Sequence, residues 1–186
     1  MMAVVVNREL EMKNQTAQEC TKLAYTDLDH IAEGVYTLCE TQNQVLQQNV
    51  DSGLNVTKAV IGQHGQISFA AETVSWEAVN QYSKDRVNLE LPKMLVGGTW
   101  LGQNKSPDSK TAIVDEVQNQ VGGTATIFQR MNDKGDMLRV ATNVMKTDNS
   151  RAIGTFIPAT NPDGTPNPVV KTVLSGKTFR GKAYVV

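Results

Sequence analysis

The sequence predicts an α+β fold, with a long N-terminal helix followed by an antiparallel β-sheet. Two observations lead to this prediction. Residues 7–50 contain no proline and a single glycine, Gly34, and their apolar residues recur every seven positions. The second half of the chain contains short alternating or β-branched runs separated by turn residues, and a helix followed by hairpin-linked strands is typical of α+β domains. A chain of 186 residues with 40% hydrophobic content is long enough to bury one core.

The predicted helix has one apolar seam. If it is unbroken over residues 7–50, the helix is about 65 Å long. The seam can pack on the domain's own sheet or on a second copy, and because so long a helix outruns a domain of this size, we expect a homodimer. The seam consists of Ala17, Ala24, Ile31, Leu38 and Val45, flanked by Leu28 and Val35.

The helix has two candidate ends. Asp51-Ser-Gly53 is one, and continuation to the glycines at 62 and 65 is the other. We therefore divide the chain into residues 1–62, a helix for dimerisation and signalling, and residues 63–186, the sheet.

Two cysteines, Cys20 and Cys39, lie on the predicted helix. On one continuous helix they are about 28 Å apart, so they cannot pair within one chain. Ordinary thiols are the favoured interpretation, and an inter-chain disulfide is the alternative. The sequence contains no apolar run of about 20 residues and no signal peptide, so we expect no membrane span within it.

Short elements follow the helix. Gln66–Phe69 is predicted as a strand, Glu72–Tyr82 as either a strand or a short helix, and Val87–Leu91 as an alternating strand. Ile113–Val121 is predicted as a short helix that leads into a hairpin.

That hairpin has strands at Thr124–Met131 and Asp136–Met145, joined by the turn Asn132–Gly135. Side chains alternate between the two faces of a strand, and the second strand is apolar on one face only. The other face either lines a binding site or is solvated. The apolar face carries Leu138, Val140, Thr142 and Val144, and the opposite face carries Arg139, Ala141 and Asn143.

The C-terminal region is predicted to hold a third strand at Ala152–Ile157 and a proline-rich loop at Pro158–Pro168. A short helix at Val169–Leu174 and a further strand at Lys182–Val186 complete the elements.

Charge favours a small anionic ligand. The net charge of −1 gives no reason to expect nucleic acid as a partner. Residues 1–50 hold three basic and seven acidic groups, whereas residues 112–186 hold nine basic and six acidic ones, a local excess of +3. Such a modest excess suits a small anion better than a polyanion.

No pattern indicates an enzyme. His30 and His64 are far apart and have no nucleophile partner, and Gly122-Gly123 lacks the spacing of phosphate-binding glycine motifs. The acidic residues form neither a catalytic pair nor a metal cage. We therefore expect no catalytic residue, no metal and no cofactor.

Three arginines are the candidate ligand-binding residues, because a guanidinium matches a carboxylate with a planar, permanently charged fork. Each arginine alone also fits a solvated strand residue or a surface ion pair, and each aromatic residue alone fits the core. Arg139 is the best candidate, since it lies in mid-strand. The predicted site comprises Arg139, Arg130 and Arg151, the neutral partners Asn143, Thr126 and Thr155, and the pocket walls Phe128, Trp76, Trp100 and Tyr184.

Several segments together resemble a known family. VGGTATIFQRMN, GDMLRVATNV, SRAIGTFIPATNPDGTPNPVV and GKTFRGKAYVV, with TVSWEAVNQ and LPKMLVGGTWLG upstream, are similar to the extracytoplasmic sensor domain of bacterial methyl-accepting chemotaxis receptors. The resemblance is to the Cache superfamily, in the subgroup with a single sensor unit after a long N-terminal helix.

The resemblance implies a PAS-like antiparallel sheet, with the long helix on one face and a ligand cavity on the other. It also implies a periplasmic dimer on the bacterial inner membrane that binds a small molecule, often a carboxylate or amino acid. The signal would pass through membrane helices outside these residues. The family pattern continues past Val186, so we expect a truncated sheet. Alternatives are a structural dimerisation domain without ligand, or the same sensor on a histidine kinase or nucleotide cyclase.

Overall fold

A computed structural model describes the backbone of residues 2–183 and the side chains of residues 6–183. The chain divides into two compact units, residues 1–48 and residues 49–186. Helix α1 (Met2–His64) supplies all of the described part of the first unit and the beginning of the second.

Within the first unit, α1 is a single exposed helix. Threonine hydroxyls donate back to the carbonyl four residues earlier, as Thr16 does to Met12 at 2.9 Å and Thr21 to Ala17 at 2.8 Å. The side chains of residues 6–46 are exposed, the apolar seam included. Cys20 and Cys39 are free and exposed. The seam is therefore an apolar stripe at the surface of this unit.

Within the second unit, the last turns of α1 join the core. Asp51-Ser-Gly53 does not end the helix, which continues to His64. Val60 is buried in the same apolar cluster as Trp76 and Leu91, with Val56 packed beside them. Burying these side chains offsets the helical cost of a mid-helix glycine, about 1 kcal/mol.

Gly65 and Gly97 explain where α1 stops. Gly65 has φ +119, and its amide donates to the Ile61 carbonyl at 3.0 Å. A Cβ on Gly97 would lie 1.8 Å from the His64 carbonyl oxygen, so only glycine allows the strand turn to approach the helix end.

The rest of the second unit is one six-stranded sheet with two short helices. Its strand order is β3-β2-β1-β6-β5-β4. All neighbouring pairs are antiparallel except β1 and β6, which are parallel, so the sheet is mixed. The predicted α+β fold is confirmed, but the sheet, predicted as antiparallel, contains one parallel pair. The elements are β1 (Ile67–Asn80), β2 (Arg86–Val96), β3 (Thr99–Trp100), α2 (Val114–Val121), β4 (Thr126–Arg130), β5 (Met137–Thr142), β6 (Thr155–Ile157) and α3 (Pro168–Leu174).

The first two strands are longer than predicted. The ambiguous segment Glu72–Tyr82 is a strand to Asn80 and is continuous with the strand predicted at Gln66–Phe69. A register shift interrupts its pairing with β2 between Phe69 and Thr73. Pro92 lies within β2 opposite Thr73, at that irregularity, where a strand tolerates the missing proline N–H.

The predicted hairpin is confirmed as β4 and β5. Its turn is held by Asn132, whose Oδ1 accepts from the amides of Gly135 at 3.0 Å and Asp136 at 3.1 Å. Both faces of β5 are buried, and so is Asn143, directly after the strand. The face that carries Arg139 is therefore not solvated.

The sheet closes on itself across one face. Gln129 Nε2 on β4 donates to the Pro92 carbonyl on β2 at 2.9 Å, although three strands separate β4 from β2 in the sheet order. The sheet must therefore curve strongly.

The C-terminal elements agree in part with the sequence prediction. The third predicted strand is β6, which begins at Thr155 rather than Ala152, and the last predicted helix is α3. Asn167 caps α3 by accepting from the amides of Val169 and Val170. Residues 182 and 183 are not in a strand, and the remainder of the strand predicted at Lys182–Val186 lies outside the described residues.

Candidate functional site

Three of the predicted site residues meet on one face of the sheet. Phe128 pairs with Arg139 across β4 and β5, and the β5–β6 register brings Thr155 beside Arg139. Arg139 Nη1 donates to Thr155 Oγ1 at 2.6 Å and more weakly to the Ala152 carbonyl at 3.4 Å. The guanidinium carbon lies 5.3 Å from the centroid of the Phe128 ring. We call this group the Arg139 site.

The charge of Arg139 has no partner in the described part of the chain. The residue is 3% exposed, forms no ion pair there, and its buried Nε has no hydrogen-bond acceptor. Burial lowers the pKa of Arg139 to about 10, so the side chain is still protonated at neutral pH. A buried cation without a counter-charge is costly, and it therefore points to a role other than stability.

Arg151 is buried as deeply as Arg139 but is fully satisfied. It forms a two-point ion pair with Asp115, with Nη1–Oδ1 at 2.7 Å and Nη2–Oδ2 at 2.8 Å. Its remaining donors reach the carbonyls of Ser106, Thr142 and Ser109, each at 3.0 Å. This arginine fastens the segment between β3 and α2 to β5.

Asp115 contributes to the same attachment through its contacts with both Arg151 and the backbone at Thr111. Its Oδ2 also accepts from the Thr111 amide at 2.7 Å. Burial alone would raise the pKa of Asp115, but the hydrogen bonds from Arg151 and the Thr111 amide outweigh it, and the pKa is lowered. The carboxylate therefore remains charged through mildly acidic pH.

Asn143 and Thr126 are occupied within the fold. Asn143 Oδ1 accepts from the Ala125 amide at 2.8 Å, and its Nδ2 donates to the carbonyls of Val114 and Gly123, each at 3.3 Å. Thr126 Oγ1 and Thr142 Oγ1 lie 2.7 Å apart. The Asn143 contacts connect the end of β5 to the start and end of α2, and the Thr126–Thr142 contact connects β4 to β5.

The other predicted residues that the structure describes, Trp76, Trp100 and Arg130, lie elsewhere. Trp76 and Trp100 line a cavity with Met94, Gln129 and Val140 that leaves no space for a water molecule. Lys93 Nζ stacks over Trp100, 4.9 Å from the ring centroid.

Arg130 is exposed and belongs to the hairpin turn, where it donates to the carbonyls of Asn132 at 2.9 Å and Asp133 at 2.7 Å. Tyr184 lies outside the described residues. The ten predicted site residues are thus not brought together in one place.

One open crevice was missed by the sequence prediction. It has a volume of about 180 Å³ and is lined in part by Gln103, Lys105 and Lys146. The two lysines lie in a loop and in a turn 41 positions apart, where neither periodicity nor a motif marks them. Only the closeness of both segments to β1 brings these side chains together.

The described residues contain no group of three or more His, Cys, Asp or Glu side chains arranged to hold a metal ion. A search of the same residues for a helix with the length and apolarity needed to cross a membrane finds none.

A long helix followed by a six-stranded mixed sheet is consistent with a single Cache-type, PAS-like domain. The family model of the Cache 3/Cache 2 fusion domain matches residues 13–186, so this chain belongs to that family. Cache domains are extracellular sensor domains rather than catalytic ones. Comparison with curated proteins and with solved structures gives no match.

Proposed function

We propose that this chain is the ligand-binding sensor module of a transmembrane chemotaxis receptor and that it binds a small carboxylate at the Arg139 site. The observation behind this proposal is that, among the residues the structure describes, the buried guanidinium of Arg139 has no carboxylate partner and its Nε has no acceptor. A carboxylate ligand would supply both the missing counter-charge and the missing acceptor for Nε.

The chemistry of the site fits such a ligand. Charge-assisted hydrogen bonds between arginine and carboxylate are roughly twice as strong as neutral ones, and burial strengthens them further. Thr155 Oγ1 holds Nη1 in place, and the Phe128 ring flanks the guanidinium. The donor is therefore oriented before a ligand arrives, which lowers the entropic cost of binding.

The proposal assigns separate roles to the two parts of the chain. Residues 63–186 bind the ligand, and residues 1–62 form a homodimer and carry the signal towards membrane helices outside this sequence. The exposed apolar seam of α1, with Leu28, Ile31, Val35 and Leu38 at its centre, supports the dimer. A histidine kinase or nucleotide cyclase could carry the same module, with the same ligand site and a different output.

A second candidate function is a structural dimerisation domain without ligand. The observation that favours it is the cavity beside Trp76 and Trp100, which leaves no space for a water molecule. In that case Arg139 would be a tolerated buried cation with no ligand.

A thermal-shift screen against small carboxylates and amino acids separates the two candidates. A ligand at 100 times its dissociation constant adds about 2.7 kcal/mol to the free energy of unfolding. We expect one compound to stabilise the wild type and Arg130→Met but not Arg139→Met, because Arg130 is an exposed turn residue on the neighbouring strand. If no compound stabilises the wild type, the structural candidate stands instead.

A further inference from the structure

The crevice of about 180 Å³ lies where the sheet has a notch. Strand β1 runs from Ile67 to Asn80, but β6 pairs with it only at Val79 and Asn80. Residues 75–78 therefore have β2 on one side and no β6 partner on the other. The loop at residues 103–105, Lys146 and residues 153–154 surround this gap, which we call the notch.

The notch carries an excess of positive charge. Its charged lining residues are Glu77, Arg86, Lys105 and Lys146. Arg86 and Glu77 neutralise one another in an ion pair. Neither lysine forms an ion pair in the described part of the chain, so the lining has a net charge of +2. A net charge of +2 at a concave surface attracts an anion.

Lys146 is the less solvated of the two lysines. Its side chain is half-buried, and a turn fixes its backbone through Lys146 N to the Ser150 carbonyl at 2.8 Å and Asn149 N to the Lys146 carbonyl at 3.1 Å. Asp148, in the same turn, does not line the notch, although the charge of Lys146 adds to the hydrogen bonds from Ser150 in lowering the pKa of its carboxyl group. Its Oδ1 accepts instead from the hydroxyl of Ser150 at 2.6 Å and from the amide of the same residue at 2.9 Å.

The opposite wall is also held in place. Gln103 Nε2 donates to the Ser75 carbonyl at 2.8 Å, which fastens the loop to β1. The Lys105 carbonyl accepts from the Arg151 amide at 2.9 Å, and Arg151 Nε donates to the Ser106 carbonyl at 3.0 Å. Because the loop is fixed on both sides of Lys105, the site is formed before a ligand binds.

From this arrangement we propose that the notch is a second anion site, separate from the Arg139 site, and that it takes a small oxyanion such as inorganic phosphate. A volume of about 180 Å³ equals the share of roughly six water molecules in liquid water, enough for such an ion with part of its hydration shell. Lysine binds phosphate as a point charge, without the planar fork that suits a carboxylate to arginine. The Gln103 amide and the two lysines provide hydrogen-bond donors for an anion. The one carboxylate in the described lining, that of Glu77, is paired with Arg86.

The test is calorimetric titration of the full chain with inorganic phosphate at low ionic strength. We expect binding to the wild type and a dissociation constant at least about tenfold higher in the double variant Lys105→Gln/Lys146→Gln. The matched control is Lys134→Gln/Lys177→Gln, which removes the same charge from exposed lysines elsewhere and should bind phosphate within about twofold of the wild type.

Three results would overturn the second site. They are no heat of binding with the wild type, equal weakening in both double variants, and loss of phosphate binding in Arg139→Met. The Arg139→Met variant also separates the proposal of the Arg139 site from that of the notch. If the Arg139 site is wrong and the notch is right, phosphate binding persists in Arg139→Met while no carboxylate stabilises the wild type. Circular dichroism of each variant verifies that it is folded.

Discussion

Arg151 and Asp115 form a buried two-point ion pair, with both oxygen–nitrogen distances below 2.9 Å. Arg139 is equally buried and has no carboxylate in the described part of the chain. The same side-chain type therefore occurs in two different environments. The guanidinium of Arg151 is fully paired within the fold, and that of Arg139 keeps a donor without an acceptor, which is the observation behind the proposed ligand site.

Arg139→Met is expected to stabilise the unliganded protein. In the folded state burial lowers the pKa of Arg139 to about 10, well below its ordinary value, so the charged form is disfavoured there and its presence at pH 7 costs stability. Removing it should raise the free energy of unfolding by about 1–3 kcal/mol. The measurement is urea denaturation at pH 7 without ligand. A decrease of more than 1 kcal/mol would show that Arg139 contributes to the fold.

Arg151→Met is expected to act in the opposite direction. It removes both hydrogen bonds of the ion pair, so that Asp115 keeps only the Thr111 amide as a donor. It also removes the hydrogen bond from Arg151 to the Ser106 carbonyl. Breaking a buried pair in this way costs about 3–5 kcal/mol. Urea denaturation at pH 7 measures this loss in the free energy of unfolding. A loss no larger than that caused by Arg130→Met would contradict the structural role of Arg151.

We expect Asp115 to make the free energy of unfolding depend on pH in the acidic range. Its pKa is lowered in the folded state, so it contributes stability above its unfolded value of 3.8, and that contribution is lost as the pH falls through the lower folded value. The difference in unfolding free energy between the wild type and Asp115→Asn should therefore shrink between pH 5 and pH 2. Asp133→Asn, in an exposed turn, is the control. A difference that stays constant over this range would argue against the prediction.

Gly97 and Gly98 offer a matched pair of substitutions. Both have positive φ, +57 and +79, but a Cβ on Gly97 would lie 1.8 Å from the His64 carbonyl oxygen, whereas a Cβ on Gly98 meets nothing within 4 Å. Gly98→Ala should cost about 1 kcal/mol of backbone strain, and Gly97→Ala clearly more, because the helix end must move. Thermal unfolding compares the two variants. Equal melting temperatures would mean that α1 and the β2–β3 turn are not in close contact.

The apolar seam of α1 predicts self-association. Sedimentation velocity of the wild type should show a concentration-dependent dimer, and Leu38→Asp should shift it to monomer because it places a charge in the seam. Tyr36→Asp is the control, since it changes an exposed residue of the same helix outside the seam. If the wild type is monomeric at all concentrations, the predicted dimer of this chain is wrong.

Local patterns in the sequence were sufficient for most elements. The turn at Asn132–Gly135, the alternation in β5 and the proline-free stretch of α1 each contain their own signal, and all three occur in the structure. The length of β1 was not evident because a register shift interrupts the alternation between Phe69 and Thr73. The parallel pairing of β1 with β6 joins strands about 75 residues apart, which no local pattern reports.

The site was harder to predict than the fold. Arg139 was singled out because it lies in mid-strand beside a small residue, and its meeting with Thr155 and Phe128 follows from strand register. The partner of Arg151 lies 36 positions away, so the sequence alone could not separate an ion-paired arginine from an unpaired one. Lys105 and Lys146 carry no sequence signal at all.

The hydrogen bond from Gln129 to the Pro92 carbonyl connects two strands of the curved sheet that are not neighbours in the strand order. Strand β4, at one edge of the sheet, is linked directly to β2 although three strands lie between them in the sheet order, so moving β4 away from β2 must break this bond. The side chains of both residues border the closed cavity beside Trp76. A molecule large enough to enter that cavity would have to break the Gln129–Pro92 hydrogen bond. Amide hydrogen exchange in β2 and β4 would then increase together.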